Sequence, residues 1–183
     1  MRDDCALVVP AYREAGAIGA VVTELVAIAR VFVVDDASGD GTADEAAAAG
    51  AIVVRLSENR GYGGAIEAGF REAVRRGFQR IVTVDGDGQH DPADVQHAVR
   101  AVTADGFELA IGIRPGRRRF VESLCSHYSR IRFGVHDPLC GLKGYDTGFF
   151  HSYGGFDLRR SVQLRPVLRV PGGRHRGSPC RPG

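Results

Sequence analysis

The sequence predicts an α/β fold with a mostly parallel central sheet covered by helices on both faces. Three observations predict it. Short apolar, β-branched runs recur through residues 1–113, amphipathic stretches of helical period separate them, and polar clusters follow the carboxyl ends of several runs. Apolar runs without alternation suit strands buried on both faces, as crossover helices require. A chain of 183 residues fits one compact domain with little room for a second.

Taken in order, Ala6-Leu7-Val8-Val9 is the first buried strand, and Pro10 ends it. Ile18, Val21, Val22, Leu25, Val26 and Ala29 recur at helical spacing and predict a helix over 15–29. Val31-Phe32-Val33-Val34 is the second strand. The segment from Asp35 to Thr42 is turn chemistry, with Thr42 placed to cap an alanine-rich helix over 43–49 and Gly50 to close it in the left-handed conformation. Ile52-Val53-Val54-Arg55-Leu56 is the third strand. A glycine-rich loop, Asn59-Arg60-Gly61-Tyr62-Gly63-Gly64, precedes a helix over 65–76 that Gly77 stops.

Ile81-Val82-Thr83-Val84 is the fourth strand and runs into Asp85-Gly86-Asp87-Gly88-Gln89-His90-Asp91-Pro92. Pro92 suits the first position of a helix whose apolar residues are Val95, Ala98, Val99 and Val102. Leu109-Ala110-Ile111-Gly112 is the fifth strand. Beyond Arg114 the pattern weakens. Residues 120–133 fit one amphipathic helix, and 137–145 a loop leading into a short strand. From 162 to 183 there are five arginines, no acidic residue and almost no periodicity, so no structure is assigned there. The expected organisation is one domain over 1–160 and a basic Pro/Gly-rich tail over 161–183, disordered or aberrant.

Composition narrows the class. Hydrophobic residues make up 44% and charged residues 25%, near the averages of soluble globular proteins. No apolar run is long enough to cross a bilayer, and the acidic start is not a signal peptide. The expected location is cytoplasmic, with peripheral contact at the inner face of the cell membrane. Cys5, Cys125, Cys140 and Cys180 form no C-x-x-C pair, which points away from zinc and from a disulfide framework. The net charge of +2 hides an asymmetry: residues 1–113 carry 10 basic and 18 acidic side chains, whereas 114–183 carry 14 basic and 4 acidic. Such a split suggests that the second part meets an anion, such as a phosphate or a membrane surface. Nucleic acid is not an expected partner, because the basic residues lack interleaved aromatics for base stacking.

In an open α/β sheet, ligands bind at the carboxyl ends of the strands. Pro10-Ala11-Tyr12-Arg13-Glu14, Asp35-Asp36-Ala37-Ser38 and Asp85-Gly86-Asp87 all fall at such ends. Several carboxylates on one rim repel each other, and a metal or a hydrogen-bonded sugar hydroxyl relieves that repulsion. Strand alternation would put Asp85 and Asp87 on one side. Carboxylates at this spacing suit a hard cation, Mg²⁺ or Mn²⁺, which takes further oxygens from a diphosphate.

These segments resemble the motifs of family 2 glycosyltransferases. Pro10 to Glu14 is similar to their P-A-Y-N-E opening, with Arg13 replacing the common Asn. Val33 to Thr42 resembles V-V-D-D-x-S-x-D-G-T, Asn59 to Ala65 resembles N-x-G-x-G-x-A, and Asp85 to Pro92 resembles D-x-D-x-Q-H-x-P. Asp137-Pro138-Leu139-Cys140-Gly141-Leu142-Lys143-Gly144-Tyr145 resembles the D-P-x-C-G-x-K-x-Y of the polyprenyl-phosphate sugar transferase branch, the dolichol-phosphate mannosyltransferase-like enzymes. The likeness covers about residues 5 to 160.

The resemblance implies a GT-A-type, Rossmann-like three-layer α/β sandwich and a UDP- or GDP-linked sugar donor. It also implies transfer with inversion to a polyprenyl phosphate or glycan acceptor. Pro10, Tyr12, Glu14, Asp36 and Asp85 would bind the nucleotide, and Asp87 with Gln89 the metal. His90 is expected to be a loop side chain and not a ligand. Arg114 and Asp137 would be the catalytic residues, while Arg117 and Lys143 would bind the acceptor or its phosphate. An anionic lipid phosphate needs no general base, whereas a sugar hydroxyl would need a carboxylate, for which Asp137 is the candidate.

A sugar-1-phosphate nucleotidyltransferase would carry a basic glycine-rich loop after the first strand, and a dinucleotide-binding dehydrogenase would carry G-x-G-x-x-G. Pro10-Ala11-Tyr12 stands there instead. The tail departs from the family pattern, with Pro166 and Pro171 forbidding a continuous helix. A catalytically impaired, nucleotide-sugar-binding remnant is therefore the alternative reading.

Overall fold

A computed structural model of the chain describes residues 4–113, 140–148 and 167–171. Within them run β1 (Cys5–Ala11), α1 (Ile18–Leu25), β2 (Arg30–Asp35), α2 (Thr42–Ala48), β3 (Ile52–Arg55) and α3 (Gly61–Arg75). These are followed by β4 (Arg80–Thr83), α4 (Pro92–Thr103), β5 (Leu109–Ile113), β6 (Lys143–Asp146) and β7 (Val167–Pro171). The sheet order is β3-β2-β1-β4-β6-β5-β7. β1 runs parallel to both β2 and β4, β2 to β3, and β5 to β7, while β6 lies antiparallel between β4 and β5.

Alternation along the strands divides the core into two layers. Leu7, Val9, Val31, Val33 and Val82 face one side, where Ile18, Val22 and Leu25 of α1, Ala46 of α2, and Val95, Ala98 and Val102 of α4 cover them. Ala6, Val8, Phe32, Val34 and Ile81 face the other side, beneath Ala65, Ile66, Phe70 and Ala73 of α3. Leu109 and Tyr145 extend that second layer, and Tyr145 meets Phe70 edge-on at 5.2 Å between ring centroids. Full burial contributes about 1.5–3 kcal/mol for each large aliphatic side chain. The expected three-layer, mostly parallel α/β sandwich is what forms.

Several local expectations shift. α1 begins only at Ile18, because the chain first makes a turn with Gly16 at φ 86°. Gly41, not Thr42, occupies the position before α2, and Thr42 is its first residue. The Thr42 hydroxyl instead donates to Asp40 Oδ1 at 2.5 Å. Gly61 to Gly64 are not a loop but the first turn of α3. α4 starts as expected at Pro92, and the Asp91 carboxylate accepts from the Ala93 amide at 2.8 Å. Val167–Pro171, from the tail expected to lack structure, pairs as an edge strand beside β5. Its Val-Leu-Arg-Val sequence has the β-branched content that an edge strand takes up once a neighbour supplies hydrogen-bonding partners. The expected helix over 120–133 lies outside the described residues.

The loop after β1 is held by the α2 segment. The amide of Arg13 donates to Ser38 Oγ and that of Glu14 to Thr42 Oγ1, each at 3.0 Å. The amides of Gly16 and Gly19 donate to the two oxygens of Glu45, at 2.6 and 2.9 Å. No side chain of its own caps α1, so Glu45 supplies the anionic cap from the neighbouring helix. Expected on this basis, Glu45→Ala lowers stability by about 1–2 kcal/mol in urea titration. Gly69 of α3 sits directly on the sheet, where an added Cβ would come within 2.4 Å of Val8 Cγ1 and 2.8 Å of Val34 Cγ2. Gly69→Ala should therefore destabilise by about 1–3 kcal/mol despite alanine's better helix propensity, again read by urea denaturation.

Candidate functional site

The strand order reverses between β1 and β4, and the loops leaving their carboxyl ends part there, as ligand sites of open sheets require. A cleft of about 470 Å³ occupies this place. Pro10, Tyr12, Glu14, Asp36, Asp85 and Asp87 all line it, joined by Asn59 and Tyr62. Parallel register brings them together. Ala11 pairs with Asp35, and the Val84 amide donates to Val8 O at 3.0 Å, so three loops leave the sheet side by side.

The acidic residues divide into those with local partners and those facing the cleft. Asp35 Oδ1 accepts from the Ser38 amide at 3.1 Å, and Asp40 is engaged by Thr42, whose hydrogen bonds hold its carboxyl below the usual range. Asp36 is buried, and its Oδ1 accepts from the Arg60 amide at 2.7 Å, tying the start of α3 to β2. Asp85 has Tyr62 Oη at 3.1 Å from Oδ1 and His90 Nε2 at 3.2 Å from Oδ2. Its carboxylate also lies flat against Gly141, where an added Cβ would overlap both oxygens. Asp87 is exposed, and its Oδ1 accepts from the Gln89 amide at 3.0 Å. Burial and the neighbouring Asp87 and Asp40 charges raise the pKa of Glu14. The Asp85-Gly86-Asp87 segment is a turn beyond β4, so the turn, and not strand alternation, directs both carboxylates to one cleft.

The walls are aromatic. Tyr12 is 44% and Tyr62 52% exposed, the two tyrosines among the large apolar side chains that the described residues leave open to solvent. Partial burial and the adjacent Asp85 carboxylate push the Tyr62 phenol well above its ordinary pKa, so it stays a donor to Asp85. Sequence reasoning missed Tyr62, although an aromatic between two helix-initiating glycines was the available signal. It also missed Ser38, Thr42 and Glu45 as the anchors of the Tyr12 loop.

Other expected site residues separate from this cleft. Gln89 lines a second recess of about 130 Å³ with Val21, Glu24 and His90, although its amide reaches Asp87. His90 sits in the turn as expected, but its ring nitrogen meets Asp85 and its side chain is only 9% exposed. Lys143 begins β6 opposite Thr83, at the same end of the sheet, without lining the cleft. Arg114, Arg117 and Asp137 lie outside the described residues. Cys5 and Cys140 are buried thiols outside any disulfide, and burial pushes the Cys5 thiol up to about 12. Among the described residues, no three His, Cys, Asp or Glu side chains cluster as a ready metal cage, and no helix is long and apolar enough to cross a membrane.

The chain is similar to known proteins in both sequence and fold. The polyprenol monophosphomannose synthase of Mycolicibacterium smegmatis is 38% identical over 133 residues, covering 63% of this chain and 50% of that protein. The dolichol-phosphate mannosyltransferase of Mycosarcoma maydis is 31% identical over 198 residues, covering 93% of this chain and 66% of that one. Among solved structures, glucosyl-3-phosphoglycerate synthase of Mycobacterium tuberculosis superposes with a TM-score of 0.74 at 22% identity, over 97% of this chain and 74% of that chain. A second structure of that enzyme, in complex with Mg²⁺ and uridine diphosphate, matches with a TM-score of 0.68 at 19% identity. It covers 97% of this chain and 73% of that chain. The chain spans about half the length of the first curated relatives it matches. The family model for glycosyl transferase family 2 matches residues 6–161, and the chain belongs to that family.

Proposed function

We propose that the cleft binds a UDP- or GDP-linked sugar and that the intact protein transfers the sugar, with inversion, to a polyprenyl phosphate or glycan acceptor. One observation carries the donor part. Four carboxylate residues, Glu14, Asp36, Asp85 and Asp87, line one aromatic-walled cleft whose described lining contains no basic residue. An anionic diphosphate would meet repulsion there unless a cation came with it. Burial raises the pKa of Glu14, and the neighbouring Asp87 and Asp40 charges add to the rise.

The donor set fits a hard divalent cation. Mg²⁺ keeps several waters and needs only one or two carboxylates when substrate phosphates supply the rest, so a site without a three-residue cage among the described residues suits it. Asp87 would be its principal protein ligand, with Asp85 beside it and Gln89 on the same turn. When bound, such an ion offsets the charge of the departing nucleoside diphosphate. Tyr12 supplies a stacking surface for the base, and Asp36 and Glu14 offer acceptors for its N–H groups or for ribose hydroxyls. The Mg²⁺–uridine diphosphate complex of the structural neighbour is consistent with this reading.

Transfer requires the acceptor oxygen to attack the anomeric carbon as the bond to the diphosphate breaks. Arg114, Arg117 and Lys143 would hold the acceptor or diphosphate phosphates, guanidinium forks being suited to phosphate oxygens. A lipid phosphate brings its own anionic nucleophile, whereas a glycan hydroxyl would give its proton to Asp137. Relatives whose names specify polyprenol, undecaprenyl and dolichol phosphates favour the lipid acceptor and peripheral contact with a membrane.

Calorimetric titration of UDP, GDP and their sugar conjugates, with and without Mn²⁺, tests the donor site. The expected result is metal-dependent binding of one nucleotide, weakened at least about tenfold in Asp87→Ala, which corresponds to roughly 1.4 kcal/mol. Folded wild-type protein that binds neither nucleotide would falsify the donor assignment. A second expectation concerns pH. Glu14 has a raised folded-state pKa, so its ionisation opposes folding, and stability falls as pH rises from the unfolded value through the folded one. Glu14→Gln should therefore be more stable than wild type at neutral pH, with the advantage vanishing in acid below the ordinary glutamate pKa. Thermal melts at several pH values check the sign.

A further inference from the structure

Arg13 lies on the loop that carries Tyr12 and Glu14, in a segment that resembles the P-A-Y-N-E opening with Arg in place of Asn. Its backbone takes φ 57°, in the left-handed region where Asn and Gly are at ease and a long side chain is disfavoured. The loop does not require arginine for its shape. The bond that anchors it comes from the Arg13 amide to Ser38 Oγ, and any residue but proline would donate it. The side chain also makes no ion pair among the described residues, although Glu14 adjoins it in sequence. Its guanidinium carbon instead lies 5.2 Å from the centroid of the Tyr12 ring. Tyr12 is one of two half-exposed tyrosines that line the cleft, together with Pro10 and Asp36.

We propose that Arg13 is a positioning residue that braces the Tyr12 ring as a stacking platform for the base of the donor nucleotide, a role that rests on the donor reading above. A guanidinium over one face of a ring is held by the ring's quadrupole, and it restricts the rotamers of both side chains. The other face then meets a flat heteroaromatic ligand without first having to be ordered, which removes part of the entropic cost of binding. Backbone strain concentrated at one residue of a ligand loop, kept where Asn would relieve it, fits a binding role better than a structural one.

The two effects have opposite signs, and this makes the test sharp. Arg13→Asn should melt about 2–4 °C higher than wild type, because the left-handed strain is relieved. In the presence of Mn²⁺ it should bind the preferred nucleoside diphosphate about two- to fivefold more weakly. The parent nucleoside, which has no phosphate, should weaken by the same factor, and Arg13→Lys should retain part of the affinity. Unchanged affinity in Arg13→Asn overturns the bracing role, as does a lower melting temperature. A loss confined to phosphorylated ligands also overturns it, since Arg13 would then be touching phosphate directly. Wild-type protein that binds no nucleotide or nucleoside removes the donor reading itself, and this role with it.

Discussion

The double-sided burial of β1 is the constraint on which the remaining structure depends. Leu7 and Val9 point into one helical layer and Ala6 and Val8 into the other, while β2 and β4 take the hydrogen-bonding edges on either side. A strand enclosed in this way cannot slip by one residue without reversing which side chains each layer receives. Pro10, Tyr12 and Glu14 therefore emerge at a defined point, beside Asp36 from β2 and Asp85 from β4. The reversal of strand order at β1 and β4 then opens the gap that these loops enclose. Gly69 belongs to the same constraint, since it lets α3 settle onto Val8 and Val34 and so brings Tyr62 to the cleft wall.

The acidic residues on that rim have unequal freedom. Asp35 and Asp40 serve the turn between β2 and α2, and Asp36 holds the start of α3 through the Arg60 amide. Asp85 is bound from both sides by Tyr62 and His90 and covered by Gly141, which gives it a fixed orientation. Asp87, in contrast, projects from an exposed turn, where its Oδ1 accepts from the Gln89 amide. Hydrogen bonds to Asp36, Asp85 and Asp87 offset part of the repulsion among the acids that share this rim.

Membership of the glycosyl transferase 2 family connects this rim to a wider chemistry, while the chain spans about half of the first curated relatives it matches. The βαβ units that carry this rim lie within residues 4–113. The basic residues that balance its acidic charge lie mostly after position 113.

Much of this was legible in the sequence. Apolar runs such as Val31-Phe32-Val33-Val34, separated by helical periodicity, determined the α/β class, because only a parallel sheet covered on both faces buries such runs completely. Polar clusters at strand ends located Pro10, Tyr12, Glu14, Asp36, Asp85 and Asp87, all of which line the cleft. What the tertiary structure alone decided is which polar atoms are already engaged. Glu45 reaches two amides 26 and 29 residues away, and Tyr62 reaches Asp85 across 23 residues of sequence. Local pattern carries no record of such pairings, because they are set by how helices pack over the sheet. Gly61 to Gly64 read as a loop for the same reason: a poor local propensity was overridden once α3 gained Phe70 and Ile66 as buried anchors. Side-chain chemistry along the chain determined what could bind, and packing between distant segments decided which groups are free to do so.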